Sequence, residues 1–172
     1  MKSFKTNLLL TLALAFASLL APLPAHSEAL TDYAENKIID ALLRGQTLDA
    51  PTTGYVALFT TCPTDSTTGT EVSGGSYARV AVTSSLANWA GTQSAGSTTA
   101  SSGTSGTTSN NNVITFPAPT ANWGVANCWG IWDAPSAGNL WIYSALTVSK
   151  TINNGDAAPS FAAGAATIQI DN

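Results

Sequence analysis

The sequence predicts a mainly β protein: an antiparallel β-sandwich or jelly-roll-like domain with one N-terminal amphipathic helix. Short runs rich in β-branched and aromatic residues recur from residue 51 onward, and turn-forming residues separate them. Before them, a single segment carries apolar residues at helical spacing. A length of 172 residues favours one domain, and the low charged fraction of 9% argues against a disordered chain.

The first 27 residues are typical of a secretory signal peptide. Lys2 and Lys5 precede the uncharged apolar run Leu8–Ala21, and small residues flank His26. We expect cleavage after Ser27. The alternative is an uncleaved membrane anchor, but the apolar run is shorter than the roughly 20 residues that a spanning helix needs.

Cleavage would leave one domain, residues 28–172, which contains no other stretch long and apolar enough to span a membrane. We therefore expect a secreted protein, located outside the cell or on its surface, with the periplasm as an alternative. Such compartments are oxidising and permit disulfides. Cys62 and Cys128 are the only two cysteines, which favours one disulfide. Two buried free thiols are the alternative, because sequence does not reveal pairing geometry.

Composition excludes several classes of function. The chain has six Lys and Arg against ten acids, too few cations to bind a nucleic-acid backbone. His26 is the only histidine and lies in the predicted signal. A mature chain without histidine has no Ser-His-Asp or Cys-His mechanism and no histidine-bound zinc or haem.

Four acids lie in turn-like or strand-end positions and are candidates for a catalytic pair: Asp65, Glu71, Asp133 and Asp156. Asp65, Asp133 and Asp156 are also candidates for a calcium site. Most acids in turns cap backbone groups or face solvent, and no loop matches the calcium-binding D-x-D-x-D-G pattern. We therefore predict a protein that is not an enzyme and needs no cofactor or metal.

The helix is predicted over Leu30–Gly45. Thr31 is a suitable N-cap, Asp32 and Glu35 place negative charge in the first turn, and Gly45 suits the position just past the end. Five apolar residues form one stripe: Ala34, Ile38, Ile39, Leu42 and Leu43. A helix this short is marginal alone, so its stripe must pack on the chain's own sheet or on a neighbouring subunit.

Both packing arrangements stay open at this point. If the chain packs on a neighbouring subunit, the first candidate for the contact is the helix itself, from Thr31 to Arg44. Its candidate interface residues are Tyr33, Ile38, Ile39, Leu42 and Leu43. Exposed strand edges starting at Tyr55 or Ala166 are the second candidate, through addition of a strand.

Strands are predicted at Tyr55–Thr61, Ser76–Ser85, Asn112–Phe116, Asn127–Asp133, Leu140–Thr147, Thr147–Ile152, Pro159–Ala162 and Ala166–Ile170. The fourth and fifth read as a hairpin with a longer loop. Asn153–Asp156 is a strong turn signal. Residues 91–112 stand apart, because most are Ser, Thr or Gly and none is charged or aromatic. We interpret this segment first as a flexible loop or insertion, with a Thr-rich strand excursion as an alternative.

The tryptophans offer a second functional lead. Strand alternation places Trp129 and Ile131 on one face and Cys128 and Trp132 on the other. One face should belong to the core. The other is either buried too or exposed as an interface or a sugar-stacking platform. The stacking candidates are Trp129, Trp132 and Trp141.

Several segments together resemble a known family. They are ALTDYAENKIIDALLRG, YVALFTTCPTD, GTEVSGGSYARV, WGVANCWGIWDAPSAGNLWIYSALTVSKTINNGD and FAAGAATIQIDN, in this order. They are similar to tailed-phage structural proteins of the tail fibre type, over most of residues 30–172. The resemblance implies a β-rich, self-associating structural subunit without an active site.

Family members assemble in the cytoplasm and would not be expected to carry a signal peptide. The combination predicts a phage-like module used outside the cytoplasm: an exported structural subunit that forms a homo-oligomer, most simply a filament. One alternative is a secreted carbohydrate-binding module with glycan partners. The other is a phage adhesin or decoration protein whose N-terminal apolar segment is not a signal.

Overall fold

The computed structural model describes residues 30–94, 96–103 and 106–170. The elements are α1 Asp32–Leu43, β1 Thr53–Thr61, β2 Thr70–Glu71, β3 Val80–Thr83, β4 Thr107–Ser109, β5 Ile114–Thr115, β6 Gly124–Trp132, β7 Leu140–Ile152, β8 Ser160–Phe161 and β9 Thr167–Gln169. The predicted fold class is confirmed: the protein is mainly β, with antiparallel sheets and one N-terminal helix.

The predicted signal peptide, Met1–Ser27, lies outside the described residues. Within the described ranges, no helix has both the length and the hydropathy required to cross a bilayer.

The largest sheet has five strands. Its order is β2-β1-β6-β7, and β3 also pairs with β1. The centre is formed by β1 and β6, which pair antiparallel from Tyr55 opposite Trp132 to Phe59 opposite Cys128. Strand β6 then forms the predicted hairpin with β7, with Ile131 opposite Ile142. These three strands are long because their β-branched and aromatic residues suit a pleated, buried surface.

One face of this sheet is covered by two small two-stranded ribbons, β4–β9 and β5–β8. The sheet contributes Val56, Leu58, Trp129 and Ile131, and the ribbons and their connections contribute Ile114, Phe116, Phe161, Ala166 and Ile168. The second layer is therefore two separate ribbons rather than one continuous sheet. Aromatic packing links the layers, since the Trp129 and Phe161 rings lie 5.4 Å apart.

The opposite face has a second apolar cluster, Ala57, Phe59, Cys128, Trp132, Leu140 and Tyr143. Arg79 lies over the Trp132 ring, with its guanidinium carbon 4.0 Å from the ring centroid. The same guanidinium binds both carboxylate oxygens of Glu71, at 2.9 and 2.7 Å. It also donates to the carbonyls of Ala134 and Ala137 in the loop between β6 and β7, both at 2.8 Å. A buried cation is thus fully paired, as burial of a charge requires.

The helix agrees closely with its prediction. It spans Asp32–Leu43, and the hydroxyl of Thr31 accepts a hydrogen bond from the backbone of Ala34. Arg44 is the C-cap, and Gly45 follows with φ of +70°, a conformation that glycine adopts without a Cβ clash.

Two strand predictions need correction. The separate strands Leu140–Thr147 and Thr147–Ile152 are one 13-residue strand, β7. It stays continuous because a bulge opposite Asn127 absorbs the extra residues. The turn at Asn153–Asp156 is present, but the strand after it does not return to β7; β8 pairs with β5 instead.

Part of the segment 91–112 is a strand rather than a loop. Thr107–Ser109 form β4, which pairs with β9 near the C-terminus. The next residue, Asn110, is only 1% exposed. Its side chain donates to the carbonyls of Asn112 and Ala162 and accepts from the backbone of Ala166. Asn110 can be buried because its polar atoms have hydrogen-bond partners. The predicted alternative of a Thr-rich strand describes this end of the segment.

The predicted disulfide is present and joins Cys62 to Cys128, with their Cα atoms 5.3 Å apart. Cys62 directly follows β1, and Cys128 lies within β6. The bond therefore links the two central strands of the sheet where their pairing ends.

We expect replacement of both cysteines by serine to lower the free energy of unfolding by about 2–4 kcal/mol, since the closed loop restricts the unfolded chain. Urea unfolding of the wild type and of the Cys62→Ser/Cys128→Ser variant measures this difference. The control is reductant, which should destabilise the wild type and leave the variant unchanged. Equal stability of the two oxidised proteins would contradict the prediction.

Candidate assembly surface

Helix α1 is attached to the sheet only near its first turn. The backbone N–H of Thr31 donates to the carbonyl of Trp141 at 3.1 Å, and its hydroxyl donates to the carbonyl of Leu140 at 2.6 Å. The N–H of Asp32 donates to the carbonyl of Asp65. Just before the helix, Leu30 forms an isolated antiparallel bridge with Ile142 on the outer edge of β7. The start of α1 is therefore fixed against the start of β7.

Two apolar contacts complete this attachment. The ring of Tyr33 packs edge-on against Trp141, with centroids 5.4 Å apart, and Ala34 is fully buried. Tyr33 was predicted as an interface residue, but the structure places it half-buried against its own domain.

The rest of the apolar stripe has no cover within the described chain. Ile38 is half-buried, whereas Ile39, Leu42 and Leu43 are 50%, 76% and 82% exposed. Docking of the helix along its own sheet, one of the two arrangements left open by the sequence, therefore applies only to the first turn. Three neighbouring large apolar side chains in solvent make this stripe the candidate assembly surface.

Two surface salt bridges involve the helix and the segment after it, and neither covers the stripe. Lys37 Nζ lies 2.9 Å from Asp49 Oδ2, and Arg44 pairs with Asp40 one turn earlier at 3.0 Å. The hydrogen bond with Asp49 raises the pKa of Lys37 above its ordinary value, and the same contact lowers the pKa of Asp49. Both pairs lie at the surface, where such bridges contribute little stability.

The two strand edges that were predicted as alternative assembly surfaces start at Tyr55 and Ala166. Tyr55 lies in β1 between β3 and β6, so its strand is internal and has no free edge there. Ala166 is fully buried, and the strand that follows it, β9, pairs with β4 in a two-stranded ribbon, so among the described residues β9 has a strand partner on one edge only. The Tyr55 edge was misplaced because the order of strands in a sheet depends on pairing between distant segments, whereas the edge after Ala166 stays a prediction.

The three stacking candidates are buried. Trp129, Trp132 and Trp141 are 3%, 7% and 8% exposed, so none offers a ring face to a sugar. Trp129 and Trp132 lie on opposite faces of the sheet, as predicted. The ribbons cover one face, and Arg79 with the loop after β6 covers the other. The interpretation that both faces are buried is the one the structure supports, and the exposed platform is wrong.

The acids that were weighed as catalytic or calcium-binding groups each have a partner within the fold. Asp65 accepts from the hydroxyl of Tyr143, Glu71 binds Arg79 and the hydroxyl of Tyr77, and Asp156 accepts from the backbone of Asn153. Among the residues that the structure describes, no group of three or more acidic, cysteine or histidine side chains is arranged to hold a metal ion.

Asp133 organises the loop between β6 and β7. Its carboxylate accepts from the backbone and side chain of Asn139, at 2.7 and 2.9 Å, and from the indole N–H of Trp141 at 3.3 Å. Partial burial raises the pKa of Asp133, but these hydrogen bonds outweigh it and hold the pKa below its ordinary value. Because Trp141 also contacts Tyr33, this loop supports the attachment point of α1.

The second half of β7 forms an exposed apolar surface that was not among the predicted sites. Val148 is 78% exposed, and it lies beside half-buried Leu146 and exposed Lys150. A signal was present in the sequence, because Leu146 and Val148 alternate with polar residues across the boundary between the two predicted strands. No pattern within one chain, however, distinguishes an apolar residue that faces solvent from one that faces the core.

Comparison with known proteins identifies one family. The sequence profile described as "Podophage GP4 fiber I protein gp80" matches residues 29–169, which is most of the chain. A search of curated proteins finds no match. The matched region begins just before α1 and ends at Gln169, the last residue of β9, so it includes the helix and all nine strands.

We expect the hydrogen bonds of Asp133 to make stability depend on acid pH. The pKa of Asp133 is lower in the folded state than in the unfolded state. The stabilisation from its hydrogen bonds is therefore fully present above the ordinary carboxyl pKa and is lost as the pH falls through the folded pKa. The measurement is the free energy of unfolding between neutral and strongly acid pH. An Asp133→Asn variant should show a smaller loss over this range; an identical pH profile would contradict the assignment.

Proposed function

The chain belongs to the podophage fiber protein family, and on that premise we propose that it is an exported subunit that assembles with copies of itself into an extracellular or surface fibre. Membership makes the protein a structural tail fiber component and not an enzyme. Export, location and self-assembly are the parts that we propose.

The observation that supports self-assembly most directly is the exposed stripe of α1. Burying a leucine side chain stabilises an association by about 1.5–3 kcal/mol, and three such side chains are available. The helix is also held rigidly at its first turn by Thr31, so little conformational entropy is lost when its far end docks. A rigid apolar projection is suited to a permanent contact between subunits.

Two features support export. Residues 1–27 have the charge and hydropathy pattern of a signal peptide. The Cys62–Cys128 disulfide is typical of proteins that fold in oxidising compartments and is rare in the cytosol.

Self-assembly predicts that the purified mature chain forms particles larger than a monomer, and that their fraction increases with concentration. Sedimentation velocity measures the size distribution, and negative-stain electron microscopy shows whether the particles are fibres. Leu42→Asp should weaken association about tenfold or more, because each 1.4 kcal/mol of lost burial is a factor of ten. The control is Leu86→Asp, which changes another exposed leucine outside α1. A wild-type monomer at every concentration would refute self-assembly.

Export predicts that the chain isolated from its native source, or from the periplasm of a bacterial host, begins near Glu28. Intact mass measurement and N-terminal sequencing test this. A Leu12→Arg change, which interrupts the apolar run, should retain the precursor inside the cell. A full-length chain that keeps Met1 would refute cleavage and favour the adhesin or decoration protein instead.

A further inference from the structure

Residues 30–50, which contain α1 and the segment after it, form an arm that lies outside the core of the domain. Neither of the two apolar clusters contains a residue before Tyr55. The arm contributes one fully buried apolar side chain, Ala34, and the polar and aromatic contacts that attach it lie at the first turn of α1. The domain can therefore bury both faces of its sheet without the arm.

The arm rests on residues 140–142 at the start of β7, which we call the arm seat. Leu30 forms its isolated bridge there, and Thr31 donates to two carbonyls of the same stretch. A cavity of about 270 Å³ remains beside this contact, between the first turn of α1 and the loops at residues 65–68 and 138–140. The attachment is therefore short and leaves unfilled space next to it.

The segment that joins α1 to β1 is bound to the arm and not to the domain. Residues 44–50 are all exposed, and Asp49 pairs with Lys37 of the helix. Among the described residues, the first hydrogen bond from this segment to the domain is made by Pro51, whose carbonyl accepts from the hydroxyl of Ser84. The arm therefore forms one unit, with a hinge just before Pro51.

The backbone near this hinge is strained. Asp49 has a φ of +50°, which is uncommon for a residue with a side chain, and the proline at position 51 restricts the residue before it. A short connection under strain favours domain swapping, because an arm that leaves its own seat can release the strained conformation. The disulfide does not oppose this movement, since its closed loop begins at Cys62, after the arm.

We propose that, in the assembled protein, the arm of one copy leaves its own domain and occupies the arm seat of a second copy. A second copy fits because its seat offers the contacts that already hold the arm within one chain: the bridge at Ile142 and the carbonyls of Leu140 and Trp141. Two copies that exchange arms reciprocally form a closed dimer. Copies that each pass the arm to the next one form an open chain, which extends into a filament.

This inference rests on the proposed self-assembly and names the segment that joins the copies. Every seat contact that is lost in one copy is regained in another, so the balance between the two forms depends on the hinge and on the exposed stripe. Exchange leaves the stripe on the arm, close to the segment that crosses from one copy to the next. Ile39, Leu42 and Leu43 therefore lie at the boundary between copies, where burial of their side chains favours the exchanged form.

A covalent lock tests the exchange in the full mature chain. Leu30 and Ile142 lie opposite each other in the antiparallel bridge, and the native cysteines are paired with each other. A chain with Leu30→Cys and Ile142→Cys, oxidised as a dilute monomer, has its arm fixed on its own seat. We expect this locked monomer to stay monomeric in sedimentation velocity at concentrations at which the wild type assembles.

Reductant should restore assembly of the locked chain, and the wild type in the same reductant is the control for the native disulfide. A locked monomer that assembles as readily as the wild type would overturn the exchange of arms, because its arm has never left its own domain.

Mixed chains give an independent result. Chains carrying Leu30→Cys are refolded together with chains carrying Ile142→Cys and then mildly oxidised. Exchange predicts disulfide-linked dimers that contain one chain of each kind, as measured by intact mass. The control pair is Leu30→Cys with Leu86→Cys, because Leu86 is exposed and lies outside the arm seat. A mixture that assembles without forming the mixed disulfide would also overturn the proposal.

A hinge variant keeps every residue of the arm and of its seat, so it remains informative if the cysteine substitutions disturb the fold. A Gly-Ser-Gly-Ser insertion between Ala50 and Pro51 lengthens the hinge and relieves it, which favours the arm's own seat. We expect this variant to associate about tenfold or more weakly than the wild type, with an unchanged circular dichroism spectrum. The matched control is the same insertion between Ser101 and Ser102, which are both exposed and lie far from the hinge in sequence.

The outcomes separate this inference from the proposed function. Wild-type chains that stay monomeric at every concentration would refute the proposed function itself. Wild-type chains that assemble, while the locked monomer and the hinge variant assemble equally well, would refute the exchange of arms alone and leave self-assembly to the exposed stripe.

Discussion

The central strands of the sheet carry apolar side chains on both faces, and this constraint shapes the rest of the fold. Val56 and Leu58 face one way along β1, while Ala57 and Phe59 face the other, so each side needs a cover. Two ribbons cover the first side. The second is covered by loops, and Arg79 holds them there through its contacts with Glu71 and with two carbonyls after β6. A long polar side chain can seal an apolar cluster because its stem and planar head pack on aromatic surface.

Because loops and ribbons complete both covers, the helix is not needed to close the core. It contributes Ala34 and Tyr33 at its base, and its remaining apolar side chains are left for another use. This division separates folding from association: the domain can bury its own core first and then present a preformed surface.

Local patterns predicted the elements well, because capping, periodicity and alternation act over a few residues. Thr31 and Gly45 marked the helix ends, and the opposite faces of Trp129 and Trp132 followed from strand geometry. Pairing between distant segments was not predictable in this way. The β4–β9 ribbon joins a Thr-rich stretch to the C-terminal strand, and Asn110 is buried only because residues about fifty positions away supply its partners. Burial of Trp132 depends in the same way on Arg79, which is distant in sequence.

The disulfide has a mechanical consequence for a chain under tension. It joins residues 66 positions apart, and α1 lies before this loop while the second half of β7 lies after it. Force passing from the helix to that end of β7 can follow the covalent path through Cys62 and Cys128 and bypass everything between them. Without the bond, the chain between the two cysteines could extend to as much as roughly 220 Å. With the bond, β2 to β5 lie inside the closed loop and would not be stretched by a force applied to the two ends of the chain.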